Sequence, residues 1–244
     1  MKKISVLMKK DLKETFRTRA FYVSLGLVVF VMVMLGAEIG KGMTALAEEG
    51  NTAAIQALLG TLTFLLALML MMLFCMYINA YTLTMEKVKR SIESLLCTPL
   101  SLKQICLGKS MALFLPSLLL GWLFTFIGII LLNFIFISPQ LGSFVMPGAA
   151  PLVAVLVIVP FIFFFLSVLV IVLQLIITNI RWVNAIMMGL IFGVGFGLSP
   201  FLEFGPASWN IVYGSLGIAA ALALITFFLF PLVSKEKIVL SSKG

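Results

Sequence analysis

The sequence predicts an all-α membrane protein with six transmembrane helices, and three observations indicate that fold class. Of the 244 residues, 62% are hydrophobic and only 11% are charged, whereas a soluble domain has about 25% charged residues. The mean hydropathy of +1.22 favours a polytopic membrane protein over a large soluble core. Six stretches have about the 20 apolar residues that a helix needs to cross a bilayer. The chain, 1–244, is therefore interpreted as a single transmembrane domain.

The first segment, 1–20, has the periodicity of a basic amphipathic helix. Apolar residues recur along one face, and lysines and arginines surround the remainder. A helix of this kind is expected to lie in the membrane interface and to turn into the first span near 19–21, like an elbow. The alternative is a run of positive charge that only orients the first span. The predicted apolar face consists of Ile4, Leu7, Met8, Leu12 and Phe16.

The distribution of basic residues orients the six predicted spans. Sixteen of the 17 lysines and arginines then fall on one side of the membrane, and Lys41 alone falls on the other. Because basic residues concentrate in cytoplasmic segments, both termini are predicted to be cytoplasmic, in a multi-pass protein of the cell membrane. The first span is predicted to be a retained helix and not a cleaved signal peptide. The spans are 21–40, 58–84, 111–137, 151–177, 184–201 and 211–233.

A polar cytoplasmic segment connects the second and third spans. Apolar residues at 88, 92, 95 and 96 have the spacing of an amphipathic helix that continues from the second span. Pro99 disfavours helix at Thr98, so that this helix should end there. The stretch Ser101-Leu102-Lys103-Gln104 then matches a capping box at the start of a new helix. The segment is therefore predicted to form a helix–turn–helix hairpin.

The same segment ends in Gly108-Lys109-Ser110, the closing triplet of a phosphate-binding loop. That loop needs a first glycine five residues before the second, normally after a strand. Lys103 occupies the required position, and the triplet leads directly into a span. Nucleotide binding by this chain is therefore not expected, and Lys109 is interpreted as an interfacial anchor with its ammonium at headgroup level.

The stretch "EKVKRSIESLLCTPLSLKQICLGK" resembles the second cytoplasmic loop of ABC-2-type transporter permeases. It covers about a tenth of the chain, and the predicted topology and interfacial helix are also typical of that family. Arg90 departs from the pattern, which usually has glycine there. The matching residues are Glu86, Ser91, Glu93, Leu95, Leu96, Thr98, Pro99, Ser101, Ile105, Leu107, Gly108 and Lys109.

The resemblance implies that the loop, 86–109, couples the chain to a separate ABC ATPase subunit. ATP and magnesium would then bind the partner, and no cofactor would bind this chain, which has no ATPase motif and is not expected to be an enzyme itself. A second permease copy, identical or related, would complete the membrane pathway. The residues expected at the ATPase contact are Glu86, Ile92, Glu93, Leu95, Leu96, Thr98, Pro99 and Ser101.

The last two spans have features of close helix packing. Gly189, Gly193 and Gly197 recur every four residues and predict a face that lets another helix approach, either within the chain or in a second copy. The segment 200–210 contains prolines and glycine, and predicts a broken stretch on the outer side. Glu203 in it is a candidate gate residue or a solvated interfacial residue.

Other function classes have less support in the sequence. Asn79 is a candidate polar residue of the pathway, or takes part in a hydrogen bond between helices.

The chain has no histidine, the acidic residues are scattered, and the aromatic residues lie in apolar runs. Neither a metal site nor nucleic-acid binding is therefore expected. The alternatives to an exporter subunit are a non-transporting immunity or scaffold protein and a secondary carrier.

Overall fold

The computed structural model describes residues 2–48, 50–88, 101–177 and 209–232, with residues 182, 185, 186, 188–190 and 193. These described residues are almost entirely helical and include no strand, which confirms the all-α prediction. Among them, five helices are long and apolar enough to cross a membrane, as in a multi-pass membrane protein. The predicted fifth span, 184–201, lies largely outside the described residues.

The helices that match the first three predicted spans extend beyond the predicted limits at both ends. The second, for example, runs over 37 residues where 27 were predicted, 58–84, because hydropathy marks only the apolar part of a helix. The elements in chain order are α1 (Lys2–Arg17), α2 (Arg19–Glu48), α3 (Thr52–Val88), α4 (Leu102–Leu132), the π-helical π1 (Asn133–Ile137), α5 (Ser138–Leu141), α6 (Ala149–Val153), the π-helical π2 (Ala154–Ile158), α7 (Val159–Ile176), α8 (Asn210–Leu229) and a 3₁₀ turn (Phe230–Leu232).

A tight turn joins α2 to α3 and is set by two adjacent residues. Gly50 has a φ of 68°, the left-handed conformation that commonly follows the end of a helix. The side-chain oxygen of Asn51 accepts a hydrogen bond of 3.1 Å from the backbone N–H of Ala54, which caps the start of α3. The two long helices are therefore antiparallel neighbours in the chain.

The bundle has α4 at its centre and α2 at its edge. Helix α4 contacts α1, α3 and α7, and α8 packs on α7. Within the most apolar stretch of each helix, 67% of the residues of α3 are buried, against 12% in α2. The described residues therefore cover only a small part of the surface of α2.

Polar groups inside the apolar helices are paired within the chain. The hydroxyls of Ser110, Ser117 and Thr125 each donate to the carbonyl four residues earlier in α4, over 2.7–2.8 Å. The indole N–H of Trp122 donates to the carbonyl of Val155 in π2, over 3.2 Å. Since the bilayer core offers no hydrogen-bonding solvent, internal pairing of this kind is required in a spanning helix.

Asn133 connects the end of α4 to the following loop. Its side-chain N–H donates to the carbonyl of Ile129, and its side-chain oxygen accepts from the backbone N–H of Val145, each over 3.0 Å. The residue is fully buried. Asn133 therefore fixes the loop 142–148 against the spanning helix, a structural role for one of the few polar residues in the predicted spans.

Candidate functional site

The candidate site lies at the start of α4, where the polar segment joins a spanning helix. The hydroxyl of Ser101 accepts from the N–H of Gln104 over 3.3 Å, and the Gln104 side chain accepts from the N–H of Ser101 over 3.1 Å. Both halves of the predicted capping box are thus present. Helix α4 then continues without interruption for 31 residues, so that the capped start and the third span belong to one element.

Helix α1 packs against α4 next to this start. From residue 8 to residue 17, where the side chains of α1 are described, Asp11 and Thr15 are buried, whereas Phe16 is 45% exposed. The predicted helix is therefore present, and its placement in the membrane interface, with Phe16 on the lipid-facing side, stays a prediction. Two polar residues of α1 face α4, whose facing surface has a charged group.

That charged group is Lys109, whose ammonium lies 3.6 Å from Oδ2 of Asp11. The side chain of Lys109 is 3% exposed and that of Asp11 is 8% exposed. The interpretation of Lys109 as an anchor extending to the lipid headgroups is therefore wrong, since protein surrounds its ammonium. Two charges removed from water in this way must remain paired, because separating them leaves a buried charge uncompensated.

The ion pair links the start of α4 to α1. Thr15 donates from its hydroxyl to the carbonyl of Asp11 over 2.9 Å, which holds the last turns of α1 together beside the pair. Water weakens the attraction between two charges, and the same pair attracts more strongly where protein replaces the water. Displacement of the start of α4 is therefore resisted unless α1 moves with it.

The other predicted site residues are distributed along the chain. Glu86 lies in the last turn of α3 and Asn79 lies further back in the same helix, and for both the structure describes the backbone only. Gly189 and Gly193 are helical positions where a Cβ would meet no described atom within 4 Å. The residues that lie outside the described part of the chain are Ile92, Glu93, Leu95, Leu96, Thr98, Pro99, Gly197 and Glu203.

Sequence reasoning did not identify Asp11 or Thr15 as part of a site. Asp11 is an acidic residue within a strongly basic helix, one turn after Leu7, a residue of the predicted apolar face. An acidic residue at such a position is a signal for a buried basic partner. Among the residues that the structure describes, no three histidine, cysteine, aspartate or glutamate side chains are grouped so as to hold a metal ion.

Comparisons with known proteins do not assign the chain to a family. Neither protein-family models, nor curated proteins, nor solved structures match it.

Proposed function

We propose that the chain is the permease subunit of an ATP-driven ABC exporter of the cell membrane, powered by a separate ATPase subunit. The observation that carries the proposal is the residue pattern of 86–109, which connects two helices long and apolar enough to cross a membrane. Ser101, a residue of that pattern, caps the helix that follows it. A second permease copy completes the pathway, and both termini lie in the cytoplasm with the loop.

The loop transmits force from the ATPase to the spanning helices. Closure of the ATPase pair around ATP and magnesium pushes on this loop, for which the sequence predicts a hairpin with its turn at Thr98 to Leu100. Because α4 is one helix from its cap to Leu132, about 46 Å at 1.5 Å per residue, movement at the capped end tilts its whole length. The hairpin residues at the contact are Glu86, Ile92, Glu93, Leu95, Leu96, Thr98, Pro99 and Ser101.

Helix α1 is the second element that follows this movement. The Asp11–Lys109 ion pair lies two turns into α4 from Ser101. A push on the hairpin therefore reaches α1 through a paired buried charge, and α1 tilts in the interface together with α4. Elbow-like movement of an interfacial helix next to the first span is compatible with alternating access to a pathway between two copies.

Copurification from native membranes tests the proposal. The wild-type chain should bring down an ATPase subunit, and Leu95→Asp should reduce that yield at least about tenfold, the effect of losing 1.4 kcal/mol. Ser143→Asp is the matched control, because Ser143 is exposed in the loop that follows the opposite end of α4. Retrieval of no ATPase by the wild-type chain would contradict the proposal, and so would equal ATPase yields from Leu95→Asp and Ser143→Asp.

A further inference from the structure

An apolar cleft lies between the peripheral helix α2 and the far half of α4 with π1. Its volume is about 360 Å³, within the roughly 300–1,000 Å³ of ligand pockets. Every residue that lines it is apolar. These residues are contributed by α2, α3, α4 and π1, and those that bound its long walls are Val33, Gly36, Ile127, Leu131 and Ile135.

Two close contacts set the length of the cleft. A Cβ at Gly128 of α4 would lie 2.8 Å from the terminal methyl of Met32, and a Cβ at Gly40 would clash with the ring of Phe136. Between these contacts, a Cβ at Gly36 would meet no described atom within 4 Å. Helix α2 therefore touches α4 at one end of a narrow slot and π1 at the other, and the walls diverge at Gly36.

The open side of the slot faces away from the bundle. Val33 and Ile135, which lie on its two walls, are 65% and 58% exposed. In a spanning helix, exposed apolar side chains of this kind face lipid tails, because water is absent from the bilayer core. Within the part of the chain that the structure describes, the slot is therefore open toward the hydrocarbon of the membrane.

We propose that one acyl chain of a bilayer phospholipid occupies this slot. A helix of a second copy, about 10 Å in diameter, does not enter a slot whose walls touch at both ends. Water is disfavoured because the residues that line the slot are apolar. A single acyl chain is narrow and apolar, so that part of one lipid tail fits.

Charge at one end of the slot orients the lipid. Lys41 lies one turn after Ala37, which also lines the cleft, and on the same face of α2. Its ammonium is 2.9 Å from Oε1 of Glu38, and both side chains are more than 70% exposed. A zwitterionic headgroup complements this pair, with its phosphate at Lys41 and its ammonium at Glu38.

Photolabelling with a phosphatidylethanolamine that has a diazirine near the middle of one acyl chain tests the site. The full chain is reconstituted in phosphatidylethanolamine vesicles, irradiated and mapped by mass spectrometry. We expect the wall residues Ile127 and Leu131 to be labelled at least several-fold more than Phe227 and Leu224 of α8, although both α8 residues are more exposed. Labelling that only follows exposure would overturn the proposal.

Filling the slot gives the second measurement. Gly36→Phe should remove most of the label from Leu131 and leave Phe227 unchanged, whereas Gly26→Phe, at a position of α2 equally open but outside the cleft, should change neither. Leu131→Trp narrows the slot from the opposite wall and should lower the label on Ile127, so the test does not depend on the folding of one variant. Equal wall labelling in all three variants contradicts the site.

Two further outcomes concern the headgroup and the occupant. Lys41→Gln should lower the wall label relative to Phe227, and an unchanged ratio would overturn the headgroup assignment. Disulfide cross-linking between two copies of Ile135→Cys in the membrane would show that protein covers the slot, which overturns the lipid proposal. Neither result depends on an ATPase partner, so that this site and the exporter function fail separately.

Discussion

At the scale of single residues, the Asp11–Lys109 pair is the most informative contact in the described chain. Both side chains are less than one-tenth exposed, and removal of two charges from water offsets much of their attraction. The pair therefore adds little net stability compared with two apolar side chains of similar size. It does specify which face of α1 meets α4, because any other rotation of α1 leaves Lys109 without this carboxylate.

Single and double substitutions separate these two effects. Asp11→Leu and Lys109→Met should each lower the free energy of unfolding by about 3–5 kcal/mol, since each removes the opposite charge that lies 3.6 Å from a buried one. The double variant should recover most of that loss. Chemical unfolding in detergent micelles, followed by near-ultraviolet circular dichroism, measures all three.

The exposed pair of α1 supplies the control. Lys10 and Glu14 are 3.9 Å apart with side chains about 60% exposed, so that Glu14→Gln should change the free energy of unfolding by about 1 kcal/mol at most. If the substitutions at Asp11 and Lys109 cost no more than this, the pair is not buried in the folded protein.

At the scale of elements, local patterns were predictable and long-range contacts were not. The Ser101 capping box depends on four consecutive residues and was correctly predicted, as were five apolar helices. The Asp11–Lys109 pair joins elements far apart in the chain, and the charges beside Asp11 resemble a solvated surface. The π-helical turns at Asn133–Ile137 and Ala154–Ile158 were not predicted, and the second of them contains Val155, whose carbonyl accepts the long-range hydrogen bond from Trp122.

The cap at the start of α4 leads to a prediction for that helix. Ser101→Ala should cost about 1 kcal/mol of local stability, because the N–H of Gln104 loses its acceptor, whereas Ser101→Gly should cost only a few tenths. Hydrogen exchange of the Gln104 amide should accelerate about fivefold in Ser101→Ala. The Thr125 amide, deep in the same helix, is the internal control. Equal exchange at Gln104 in the wild type and in Ser101→Ala would show that the capping box does not hold the helix start.

At the scale of the whole molecule, the number of spans decides whether the two termini lie on the same side of the membrane. The five helices of the described chain that are long and apolar enough to cross a membrane correspond to five of the six predicted spans, and the predicted span 184–201 lies largely outside the described residues. An even number places the tail on the side of α1, and an odd number places it opposite. With six spans, sixteen of the 17 basic residues share one side, an asymmetry typical of cytoplasmic segments.

Labelling with a membrane-impermeant maleimide tests the span number. It is carried out on right-side-out and on inside-out sealed vesicles separately. Cys97, in the predicted cytoplasmic loop, and a Ser242→Cys substitution in the tail should react on one face, and Ser143→Cys on the other. Cys75 and Cys106 should not react, since both are buried. A Cys97→Ser background separates the signals of the introduced cysteines. If Ser242→Cys reacts on the same face as Ser143→Cys, the chain crosses the membrane an odd number of times, and the predicted six-span topology is wrong even if Cys97 lies in the cytoplasm.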